Sequence, residues 1–262
     1  MHSFVWFIAI LALALMYGMR IRGVVGHITA PLLHWRVAVA LAIGLMCGAI
    51  LTVHSGIQVP RQTAVAIHAV VLFVATTLGL RYWIHWPLWD IPSAVGALAL
   101  VALYFTEPQT YNNVVLALVS LGVAVGGYYC SKHWLVVFSL TMAAFDAYAV
   151  WGSNLMEQLI DQQPGPFPSA LTAALMPRSL EIGGLDVMLG ALMVVGIFRH
   201  RGIVRAAGFG ICYASLTWGI AVLSEPLAYR YGSVFLAHFP LLTVLAPLVL
   251  LFLLGFPRRH RA

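Results

Sequence analysis

Apolar runs of roughly 17–22 residues recur from one end of this chain to the other, the length a helix needs to cross a hydrocarbon core of about 30 Å. A bilayer offers no partner to a backbone N–H or C=O, so runs of this kind can cross it only as helices that bond internally. The other spanning architecture, a closed barrel, would show strands of about 10 residues with alternating polarity, and the sequence has none. Composition agrees: 62% of the residues are hydrophobic and 8% charged, whereas a soluble domain carries about a quarter charged. The expected fold is an all-α integral membrane protein.

Apolar runs between charged or turn-rich breaks predict nine transmembrane helices, at about 3–19, 37–54, 63–82, 91–106, 114–129, 134–155, 182–198, 203–223 and 234–254. Tryptophans gather near their ends (Trp6, Trp35, Trp83, Trp86, Trp89 and Trp134), where an amphipathic ring suits the membrane interface. The first run has no basic segment before it and no small-residue cleavage site after it, so it reads as a retained span. The nine spans form one transmembrane domain over 1–262.

With nine spans, one side of the membrane receives Arg20, Arg22, Arg36, Arg81, Lys132, Arg199, Arg201, Arg205, Arg258, Arg259 and Arg261. The other receives only Arg61, Arg178 and Arg230. This bias predicts a cytoplasmic C-terminus and an N-terminus outside. The net charge of +6 is therefore spent in ones to threes at span ends, where membrane lipids are the partner, and not in a patch suited to nucleic acid. Cys47, Cys130 and Cys212 share no close spacing, so neither a disulfide framework nor a metal site is expected, and no cofactor is called for.

Six of the eight acids fall at span ends or in loops, but Asp146 lies about a dozen residues into the sixth span and Asp186 about a turn into the seventh. An acid at such depth costs several kcal/mol and usually serves a function, although a neutral Asp can also tie two helices together. Small residues share the helical face of each: Ser139, Ala143, Ala149 and Ser153 around Asp146, Gly183 and Gly190 around Asp186. Close approach of the two helices would join the carboxyls in one site, where one tends to keep its proton while the other ionises. Such a pair can activate a water and protonate a carbonyl without any metal. The segment joining the two spans, 156–181, contains Pro164, Pro166, Pro168 and Pro177 and is expected to be extended and mobile. His68 and His238 read as packing or hydrogen-bonding residues.

Three motifs then line up. Phe145-Asp146, followed by Gly152-Ser153-Asn154-Leu155-Met156, resembles the Tyr-Asp segment in the sixth span of the presenilin and signal peptide peptidase family. Gly183-Gly184-Leu185-Asp186 is similar to that family's Gly-x-Gly-Asp motif in the seventh span, and Pro240-Leu241-Leu242 to its Pro-Ala-Leu motif in the last. Phe145, Leu185 and Leu241 are the departures, standing where the family has tyrosine, glycine and alanine. The resemblance covers roughly the C-terminal half, from about 134 onward, and the first five spans match only in number.

The resemblance implies an intramembrane aspartyl endopeptidase acting on transmembrane helices of membrane-protein or signal-peptide substrates, with Asp146 and Asp186 as the catalytic pair. It further implies a five-span scaffold over about 1–130 and a catalytic four-span part over about 134–262. Gly183, Pro240, Leu241 and Leu242 would then shape the substrate groove. The alternative is a transporter or channel in which the two acids carry protons or ions.

Overall fold

The computed structural model describes residues 2–25, 108–152, 174–175, 182–231 and 241–255, with isolated positions between 36 and 106. The spans expected at 37–54, 63–82 and 91–106 lie outside the described residues or are represented there only by such positions. Six α-helices are described: α1 (His2–Val25), α2 (Pro108–Tyr129), α3 (Lys132–Ala147), α4 (Gly184–Arg201), α5 (Ile203–Tyr231) and α6 (Leu242–Leu254). Three stretches are long and apolar enough to cross a membrane: Phe4–Val25 in α1, Lys132–Gly152 at α3, and Ile203–Ile220 in α5. The chain is an α-helical membrane protein.

The centre of the bundle is α4. Fourteen of its eighteen residues are buried, so it has no lipid-facing stripe, and α1, α2, α5 and α6 all pack on it. Its most extensive partner is α2, and the reason is local. At Gly127 the two backbones come so close that a Cβ would run into the carbonyl of Leu192. The neighbouring Gly126 faces open space. Within the Gly-Gly pair, one glycine therefore permits the helix approach and the other does not take part.

The basic ends of the helices meet. Arg199 donates to the carbonyls of Tyr128 and Cys130, His200 Nε2 donates to Cys130 O at 3.0 Å, and Arg201 donates to Leu253 O through Nε at 2.7 Å. Arg22 of α1 stands 5.8 Å from the centroid of the Phe198 ring. Three consecutive residues thus satisfy carbonyls that the ends of α2 and α6 leave without helical partners, and positive charge is favourable there. A turn through Gly202, whose φ of +88° favours glycine, sends the chain straight into α5.

Four boundaries differ from the expected ones. Helix α1 runs on past 19 to Val25. Helix α2 begins at Pro108 and not near 114, because proline suits a first helical turn that has no N–H to satisfy. Helix α5 runs on to Tyr231. The seventh span was expected from 182, but Ile182–Gly183 form a short strand, β2, that pairs antiparallel with Ala174–Leu175, β1, and the helix starts at Gly184. Part of the connection expected to be extended and mobile is therefore ordered by a ladder that leads directly into α4.

Candidate active site

Asp146 is the penultimate residue of α3, and the helix changes character just beyond it. Tyr148–Gly152 wind as a π-helical turn, a wider arrangement that is found often at functional sites. The Asp146 side chain is half-buried, and its Oδ2 accepts the backbone N–H of Leu242 at 2.8 Å. Leu242 is the first residue of α6, and Leu241 at the N-cap supplies no side-chain bond. Asp146 thus caps α6 from another helix, giving an acceptor to one of the first-turn donors and a negative charge to the positive end of the helix dipole.

Asp186 sits in the first turn of α4 and is 9% exposed, while Leu185 beside it is half-buried against the core. The bulk of Leu185 is taken up by packing, with the acid turned inward. The backbone carbonyl of Asp186 accepts the hydroxyl of Tyr213, which comes across from α5, at 3.2 Å. Tyr213 is fully buried. Its ring stacks on Phe209 at 5.8 Å between centroids and meets Phe7 of α1 edge-on at 5.7 Å. One turn further along α5, Thr217 is fully buried.

The packing around the acids is not the expected one. The small residues around each were read as letting α3 and α4 pack together, yet these two helices meet only at their margin, and α3 packs chiefly on α6. Gly190 does not face α3. A Cβ there would stand 2.7 Å from Cε1 of Tyr213 and 3.2 Å from Leu11. The notch beside Asp186 is filled by a tyrosine ring, and Tyr213 links Asp186 to a third helix, α5. Ser139 and Ala149, expected on the face of Asp146, are buried. Ser153 and His238 lie outside the described residues.

Among the expected groove residues, Gly183 is the last residue of β2 and Leu241 the cap of α6. Leu242 serves through its amide, as Asp146's donor. Pro240 lies outside the described residues. Tyr213 is the residue that sequence reasoning passed over. Its signal was present: a hydroxyl ten residues into an apolar span must find a partner in hydrocarbon. Only the acids and histidines were weighed for depth.

No family model matches this chain, and no curated protein and no solved structure matches it either.

Proposed function

We propose that this chain is an intramembrane aspartyl endopeptidase that hydrolyses peptide bonds within transmembrane helices, with Asp146 and Asp186 as its catalytic pair. The observation that carries the reading is that α3 and α4, the helices bearing the two deep acids, both pack against the same helix, α6. The Leu242 amide on Asp146 adds to it, because the segment that resembles a Pro-Ala-Leu motif then holds an acid in place. In this reading the helices belong to a nine-span bundle with its N-terminus outside and its C-terminus in the cytoplasm. About 1–130 is scaffold and about 134–262 the catalytic part.

The chemistry needs one carboxylate and one carboxylic acid. Asp146, which accepts an amide at a helix N-terminus, takes the part of the base. It removes a proton from water as the water oxygen bonds to the scissile carbonyl carbon, while Asp186 gives its proton to the carbonyl oxygen. The tetrahedral intermediate collapses when the amide nitrogen receives the proton held by Asp146 and the C–N bond breaks. Asp186 recovers its proton from the hydroxyl, so the sum is one water added across one peptide bond.

The test is cleavage of a transmembrane reporter by the purified protein in liposomes, with Asp146→Asn and Asp186→Asn as controls. Cleavage by the wild type and its loss in both variants supports the reading. Cleavage that survives either substitution overturns it. Proton or ion flux without cleavage, abolished by the same substitutions, would assign the acids to transport instead.

A further inference from the structure

We propose that Tyr213 is the positioning residue of the acid pair: its ring, seated in the notch at Gly190, sets the first turn of α4, and its hydroxyl ties down Asp186. The effect on rate rests on the endopeptidase reading, whereas the placement stands on geometry alone.

Three contacts leave the ring little freedom. Phe209 and Phe7 hold its face and edge, and Gly190 closes the side towards α4. A phenol so enclosed has its oxygen placed by packing and not by its own bond. That oxygen donates to the carbonyl of the very residue whose side chain is the buried acid. Tyr213 thus fixes the backbone from which the Asp186 carboxyl is carried, and a displacement of about 1 Å in such an array costs on the order of 100-fold in rate.

The groups that titrate at this point are few. Phe7 faces the ring from α1 and Phe209 from α5, and neither titrates; Asp186, whose carbonyl the hydroxyl meets, is its titratable neighbour, and Asp146 lies at the start of α6.

Two variants separate the hydroxyl from the ring. Tyr213→Phe keeps the ring and removes the oxygen, whereas Gly190→Ala keeps the oxygen and pushes the ring with a new methyl group. Each is reconstituted as the full chain and assayed for reporter cleavage. Labelling of Asp186 and Asp146 by dicyclohexylcarbodiimide, which attacks protonated carboxyls, is followed by mass spectrometry across pH 5–9. The expected result for either variant is a kcat lowered on the order of 10- to 100-fold with KM within about twofold, and a double variant little worse than the poorer single one. The pH dependence of labelling at Asp186 is expected to move in both. Should Tyr213→Phe fail to fold, Gly190→Ala carries the same readouts.

A wild-type kcat together with an unmoved labelling profile overturns the proposal, as does a change confined to KM. If the wild type cleaves nothing, that failure counts against the endopeptidase reading alone, and labelling decides the place of Tyr213: a moved profile upholds it and an unmoved one overturns it.

Discussion

Asp146 caps α6 and is proposed to act as the base, and substituting it in two ways tells the two apart. In Asp146→Ala the Leu242 N–H loses its acceptor, and Leu241 has no side-chain bond to give in exchange. A hydrogen bond to a charged group contributes about 1.5–3 kcal/mol, and an anion at a helix N-terminus about 0.3–1 kcal/mol more. Discounting for the half-exposed side chain, the loss is about 2 kcal/mol. At about 2–4 °C per kcal/mol for a chain of this size, the thermal midpoint in detergent falls by roughly 4–8 °C. Asp146→Asn keeps a side-chain oxygen for the amide and loses only the charge, so its midpoint falls by about half as much or less. Cleavage, which needs a carboxyl that can take up and release a proton, is abolished in both. Midpoints read by the fluorescence of a thiol-reactive or environment-sensitive dye, beside reporter cleavage, give the two quantities from one preparation. Equal midpoints for Asn and Ala, or an Ala variant as stable as wild type, would refute the capping argument. Cleavage by the Asn variant would refute the chemical one.

The paired glycines of α2 make an internal control: Gly127→Ala must displace a backbone carbonyl of α4 and is expected to destabilise by about 1–2 kcal/mol, net of the propensity gain. Gly126→Ala meets nothing within 4 Å and is expected to be neutral or stabilising by up to about 1 kcal/mol, which thermal denaturation of the two variants checks. Burial pushes the Cys130 thiol up to about 12, with nearby Arg199 pulling the other way, so at pH 7 roughly one thiol in 10⁵ is ionised. N-ethylmaleimide is therefore expected to modify Cys130 only after denaturation in dodecyl sulfate, as mass spectrometry will register. Burial, helped by Arg199, Lys132 and Arg201, holds His200 below the ordinary histidine value, against the opposing hydrogen bond to Cys130. The unfolded chain then binds the extra proton first, so this residue's contribution is intact above about pH 6.5 and is lost as pH falls below it. His200→Gln is expected to flatten the decline of the thermal midpoint between pH 7 and pH 5.

Helix position was legible from the sequence, and neighbourhood was not. Apolar run length located α3, α4 and the starts of α1 and α5 to within a few residues. What run length cannot carry is the choice of partner. In lipid a helix is apolar on every side, so no hydrophobic stripe names the face it packs with. Small residues announce close approach without saying to what. Gly190 was read as making room for α3 and in fact makes room for Tyr213, 23 positions away on the next helix. The cap that Asp146 places on α6 was hidden for a related reason. It uses the Leu242 backbone, which has no signature in a side-chain pattern.

The run Arg199-His200-Arg201 also bears on the order in which the protein is made. Tyr128 and Cys130 precede their partners by about 70 residues, so the ties of Arg199 and His200 can form as soon as α4 reaches its place. Arg201 must wait for Leu253, 52 residues later. Until α6 is delivered, the Arg201 guanidinium stands without that acceptor, and Asp146 stands without the Leu242 amide. One insertion supplies both. A message cut short before α6 therefore yields helices in which neither Arg201 nor Asp146 has met the backbone group it holds in the folded chain.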